Sequence, residues 1–109
     1  MQIDRARALQ ELGISEKLFN ELLEIFIEQT ESALKIFEET VYNKDYEEIR
    51  KNAHFIKGSA GNLRIDGIQG MAKEIERGAI EQQDIIVIKN NIGKLRVFFE
   101  EVKKEVSDG

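Results

Sequence analysis

Proline is absent from all 109 residues of this chain. Proline ends or kinks helices because it lacks an amide N–H and its ring clashes with the preceding turn. A chain without it can run in long unbroken helices, and its apolar residues recur at the spacing helices need. With 41% apolar and 34% charged residues, the composition favours amphipathic helices over a turn-rich β fold. The length suits one domain spanning residues 1–109, large enough to bury a core without disulfide or metal staples. The chain has no cysteine, which excludes disulfides, thiolate metal sites and cysteine nucleophiles.

Five helical segments are predicted. A short one covers about Asp4 to Leu12 and stops at Gly13, a C-terminal cap. Ser15 caps a long second helix reaching about Tyr42, with Leu18, Leu22, Ile25, Phe26, Ala33, Leu34, Phe37 and Val41 at helical spacing. After the Asn43-Lys44 turn, Asp45 caps a third helix that runs through His54 to about Leu63, with Glu48 placed to complete a capping box. The fourth begins at Asp66 and fades near Gly78. Asp84 caps the last, where Ile85, Ile88, Ile92, Leu95, Phe99, Val102 and Val106 draw one stripe. The run Ile85-Ile86-Val87-Ile88 reads locally as a strand, but the periodicity continuing to Val106 favours helix. Four amphipathic helices joined by short loops give an all-α, antiparallel four-helix bundle, with the short first helix across one end.

The net charge of −5 argues against nonspecific binding to nucleic acid or anionic lipid. No apolar run approaches membrane-spanning length, and the start does not read as a signal peptide. A cytoplasmic monomer is the expectation, either free or as a domain of a membrane-bound sensor kinase.

The chain has a single histidine, His54. On a helical wheel Ile49, Ala53, Ile56, Ala60 and Leu63 form the core arc of the third helix. His54, Gly58 and Gly61 fall on a second arc, away from it. Lys57 flanks the histidine at i+3, and Arg50, Lys51 and Arg64 share the exposed side. Histidine is ordinarily mostly neutral at pH 7, which leaves one ring nitrogen free as a nucleophile. Glycine inside a helix costs about 1 kcal/mol relative to alanine. Outward-facing Gly58 and Gly61 therefore suggest bare helix kept open for a partner, the alternative being close helix packing. Lys57 is either a solvated lysine or a cation for phosphate oxygens. If the third and fourth helices form a hairpin turning near Ile65, Glu76 mirrors His54. It is then either a solvated glutamate or the acceptor of the Nδ1 proton, leaving Nε2 as nucleophile.

The segment Ala53-His54-Phe55-Ile56-Lys57-Gly58-Ser59-Ala60-Gly61-Asn62-Leu63 resembles the signature of histidine-containing phosphotransfer (HPt) domains, roughly Ala-His-x-hydrophobic-Lys-Gly-small-small, often continuing through Asn-Leu. Leu18 to Phe26 resembles that family's second helix, and Ile68 to Glu76 the helix that ends near Leu-Glu. The resemblance implies a phosphorelay carrier in two-component signalling. It would take a phosphoryl group on His54 from a receiver aspartyl phosphate or a kinase and pass it to a receiver aspartate. Lys57 would stabilise the phosphoryl group, Gly58 would keep the approach open, and Glu76 would orient the ring. Phe55, Ile56 and their neighbours would supply the docking surface, with Arg50, Lys51, Gly61 and Arg64 completing the partner-facing set. Partners would be receiver domains of response regulators or of hybrid histidine kinases. Arg64 stands where many members have glycine, so the turn is expected to use Asp66 and Gly67 instead.

No cofactor of its own is expected. Lys51 occupies the position three before His54 where a bundle di-metal motif needs glutamate, and no glycine-rich nucleotide loop is present. The chain is thus expected to be a transfer intermediate more than an enzyme, the divalent metal (Mg) coming with the receiver. A rival reading is an adaptor bundle that docks receivers or kinases without being phosphorylated. A third is an inert bundle cut from a larger protein.

Overall fold

The computed structural model describes residues 1–108 and is helical throughout: α1 (Arg5–Leu12), α2 (Glu16–Tyr42), α3 (Tyr46–Asn62), α4 (Asp66–Ile80) and α5 (Ile85–Asp108). The last four form the antiparallel bundle, and the molecule with α1 measures 41 × 23 × 19 Å. Its long axis matches α2, whose 27 residues rise about 1.5 Å each. The α3–α4 hairpin is the most closely packed pair.

The capping residues act as their chemistry dictates. Asp4, Ser15 and Asp45 each accept a backbone N–H from the first turn of the following helix. Gly13 ends α1 in the left-handed conformation, φ 64°. Asp84 accepts the N–H of Ile86 at 2.9 Å, so Ile85–Ile88 opens a helix. Helix α4 begins at Asp66 as expected, behind an N-cap, Ile65, that has no side-chain oxygen. Its end differs from expectation: it runs past Gly78 to Ile80, and Gly78 packs inward against Ile88 and Gln83.

The three hairpin turns share one device. Lys44, Arg64 and Gln82 each take positive φ, 53°, 60° and 52°. Around each, the following residue's N–H bonds back to Thr40, Ala60 or Gly78 in the last helical turn, at 2.8–2.9 Å. These are Schellman motifs with an ordinary side chain at the position glycine usually fills. The α3–α4 turn therefore pivots on Arg64 itself, not on Asp66 and Gly67. Arg64 is held there by Glu11, at 2.7 Å, and by the carbonyls of Gly61 and Asn62.

The core stripes of α3 and α5 lie where the periodicity puts them. Ile49, Ala53, Ile56, Ala60, Ile88, Leu95, Phe99 and Val102 are buried. Helix α2 departs from the expected stripe. Its buried face carries Phe19, Leu23, Phe26, Thr30, Ala33, Leu34, Phe37 and Thr40, whereas Leu18 and Ile25 are exposed and Leu22 and Val41 half-buried. Helix α2 has two adjacent apolar stripes, and only one faces the core.

Helix α1 lies across the end where the α3–α4 turn, the start of α2 and the end of α5 meet. Arg7 pairs with Asp66 at 2.5 Å, Arg5 donates to Asn20, and Glu105 accepts the N–H groups of Gln2 and Ile3.

Candidate functional site

Helix α3 has three faces along its middle turns. Ala53, Ile56 and Ala60 fill the core. Asn52 and Phe55, with Ser59 and Asn62 further along, border α2. His54, Lys57 and Gly61 face α4. His54 is thus outside the core, and its side chain is 63% exposed.

Glu76 of α4 reaches across the hairpin to it. Nδ1 of His54 lies 2.6 Å from Oε2 of Glu76, and Nζ of Lys57 donates to Oε1 at 2.6 Å. The Glu76 side chain is only 12% exposed. Burial pushes its carboxyl pKa up, but hydrogen bonds from Lys57 and His54, together with their charges, more than offset this and hold it below the ordinary range. An ionised carboxylate can only accept, so the proton of the 2.6 Å contact resides on Nδ1. Nε2 is then the ring nitrogen with the free lone pair.

Gly58 is exposed, and a Cβ built there would meet nothing within 4 Å. The helix surface one turn from His54 is bare. Gly61 differs. A Cβ there would lie 2.6 Å from Nε2 of Gln69, so this glycine receives an α4 side chain and is not open ground for a partner. Packing is the physical reason for Gly61, and the outward reading holds for Gly58 alone.

The cations around the histidine are balanced rather than free. Arg50 pairs with Glu47 at 2.7 Å, Lys51 with Glu48 at 3.5 Å, Arg64 with Glu11 at 2.7 Å and Lys57 with Glu76 at 2.6 Å. Arg64 belongs to the end cap of the bundle, in the α3–α4 turn, away from the imidazole. Ile56 is fully buried and cannot serve as docking surface, whereas Phe55 is 45% exposed.

Phe55 leads to a feature the sequence reading missed. With Gln29, Ser32, Ala33, Ile36 and Asn52 it lines a shallow cleft between α2 and α3. A second cleft, lined by Ile14, Leu22, Ile25, Ser59 and Leu63 among others, shares Gln29 with it. Together they make a band along the α2–α3 seam, with Leu18, Ile25, Ile36 and Phe55 exposed. The signal is the second α2 stripe: Leu18, Leu22 and Ile25, read together with the core positions as one stripe, and Ile36, which that stripe leaves out. Among the described residues no three His, Asp or Glu side chains gather to hold a metal ion. Among the described residues no helix is long and apolar enough to cross a membrane.

A four-helix bundle carrying one exposed imidazole, a carboxylate on its Nδ1 and bare helix beside it defines a histidine phosphotransfer scaffold. Comparison with known families agrees: the Hpt domain family matches residues 21–101, and the chain belongs to that family. It is a phosphorelay carrier in two-component signalling, working with receiver and kinase domains. Among solved structures it is similar to histidine-containing phosphotransfer protein B (HptB) from Pseudomonas aeruginosa PAO1. The TM-score is 0.76 and the identity 24%, covering 99% of this chain and 96% of that one. At that identity the likeness bears on the fold. Comparison with curated proteins gives no match.

Proposed function

We propose that His54 is the phospho-acceptor, that Glu76 orients it, and that the α2–α3 band receives the partner. Nε2 attacks the phosphorus of a receiver aspartyl phosphate. The N–P bond forms as the P–O bond breaks, and the aspartate leaves as carboxylate with the electron pair. No proton need move, because Nδ1 keeps its own against Oε2 of Glu76 and the imidazolium so formed is paired with that carboxylate. The return step runs the same path onto a second receiver. Phosphoryl transfer depends on in-line positioning and charge neutralisation, and the chain's part is a rigid exposed nucleophile with Lys57 beside it. Receiver partners are expected to bring the divalent metal, Mg, and the protein is expected to act as a cytoplasmic monomer.

The observation that carries this reading is the 2.6 Å contact between Nδ1 and Glu76, which puts the proton of the neutral ring on Nδ1 and leaves Nε2 as the nitrogen with the lone pair. Incubation with a phosphorylated receiver tests it. The chain should gain acid-labile, base-stable phosphate, and His54→Gln should abolish labelling with helicity intact. Labelling that survives His54→Gln removes the assignment.

A further inference from the structure

A lysine on the opposite wall of the site has no partner. Lys73 is exposed on α4, and among the described residues it makes no ion pair within 4 Å, while Arg50, Lys51, Lys57 and Arg64 all do. Its place follows from the hairpin register. Gln69 meets Gly61 and Glu76 meets His54, and the members of each pair are equidistant from Ile65 in the sequence. The same register sets Lys73 across from Lys57. On α4 it lies one turn from Glu76 and one turn from Gln69, on their solvent side. Neighbours at that spacing have Cβ atoms about 5–6 Å apart, and a lysine side chain is long enough to span that distance.

The charge balance calls for such a group. In the free protein the single negative charge of Glu76 is shared by the Nδ1 proton and the Lys57 ammonium, each at 2.6 Å. A phosphoryl group on Nε2 brings close to two further negative charges beside that carboxylate. If Lys57 left Glu76, Oε1 of a carboxylate that is only 12% exposed would lose its donor and the Nδ1 proton alone would remain on Oε2. Of the other nearby cations, Arg50 makes both its contacts to Glu47 and Lys51 pairs with Glu48 at 3.5 Å.

We propose that Lys73 is a second phosphoryl-binding cation, which closes onto the phosphoryl oxygens of phospho-His54 from the α4 side while Lys57 stays on Glu76. The proposal rests on His54 being the acceptor. In its phosphorylated state the site then has a cation on each wall, and Gly58 leaves the approach between them open.

Phosphoramidate, a small nitrogen-linked phosphoryl donor, can phosphorylate the full chain without a receiver: its P–N bond breaks, the Nε2–P bond forms and ammonia leaves. The 31P resonance of the product is followed against pH for wild type, Lys73→Gln, Lys73→Arg and Lys57→Gln. A nearby cation favours the doubly ionised phosphoryl group. Lys73→Gln should therefore raise the titration midpoint and shorten the lifetime of the phosphorylated protein about two- to fivefold, as for loss of one exposed charge contact, and Lys73→Arg should restore both. An unchanged midpoint and lifetime in Lys73→Gln, with the wild type phosphorylated, overturns this proposal alone. A wild type that takes no phosphoryl group at His54 from phosphoramidate or from any phosphorylated receiver overturns the acceptor assignment and this proposal together.

Discussion

Glu76 holds an imidazole with one carboxylate oxygen and an ammonium with the other, so a single substitution separates orientation from charge. Glu76→Ala removes the acceptor on Nδ1 and frees Lys57. Loss of a group that fixes a histidine tautomer typically costs about ten- to a hundredfold, and phosphorylation of His54 should slow by that order, read from initial rates with phosphoramidate. Glu76→Gln keeps an acceptor oxygen and should fall between. The same carboxylate sets a pH dependence. Its pKa is held below the ordinary 4.5, so the unfolded chain binds its proton more readily than the folded one. Its contribution to stability is present above pH 4.5 and is lost as pH falls through the depressed value. Denaturant midpoints measured down this range should fall more steeply for wild type than for Glu76→Gln. Thr30 offers a contrasting case at this scale. Its hydroxyl is buried in the core without a partner, and burying an unpaired hydroxyl costs about 1–3 kcal/mol. Thr30→Val, of similar shape, should raise stability by about 1 kcal/mol, read from the urea midpoint.

At the scale of elements, what could be read from the sequence depended on how many demands a residue meets. The α5 stripe and the capping residues Ser15, Asp45 and Asp84 each answer to one rule, and each lies where that rule puts it. Hairpin register set Glu76 opposite His54 but left it either solvated or the Nδ1 acceptor, and the structure has it in contact with Nδ1. Helix α2 serves two neighbours, the core and the α2–α3 seam, so its apolar positions form two stripes that a single-period reading merges. Gly61 was misread because a wheel gives direction but not what stands there, and Gln69 could not be seen in it. The turns were misread at Arg64 because glycine was expected wherever φ is positive. The chain instead places Lys44, Arg64 and Gln82 there, and left-handed backbone costs an ordinary residue about 1–2 kcal/mol. Gln82→Gly should therefore raise stability by about 0.5–1 kcal/mol after the added freedom of the unfolded chain is offset. Arg64→Gly should gain less than Gln82→Gly, since it also gives up Glu11 and two carbonyls. Paired urea titrations of the two variants check the order.

Over the whole molecule, the proposed function places chemistry and recognition on adjoining but separable surfaces. The imidazole stands over the α3–α4 groove, fixed by Glu76, while the exposed apolar residues Leu18, Ile25, Ile36 and Phe55 follow the α2–α3 seam on its other side. On that proposal a small donor needs only the first surface and a receiver domain needs both. Ile25 lies on α2, is 49% exposed and lines the α2–α3 cleft, whereas Glu76 meets His54 and Lys57 in the α3–α4 groove. Ile25→Glu sets a carboxylate in the middle of the band, where docking would have to desolvate it. Such a change at the centre of an interface costs about 2 kcal/mol or more, equivalent to roughly thirtyfold or more in affinity. Val97, on α5, is equally apolar and 58% exposed, and Val97→Glu is the matched control on a different helix. Receiver-dependent transfer should fall at least tenfold in Ile25→Glu and stay near wild type in Val97→Glu, with phosphoramidate labelling of His54 the same in all three proteins. If the two substitutions weaken receiver transfer equally, the α2–α3 seam is not the docking face. If Ile25→Glu also slows phosphoramidate labelling, the nucleophile and the docking surface are coupled through α3, and the separation drawn here does not hold.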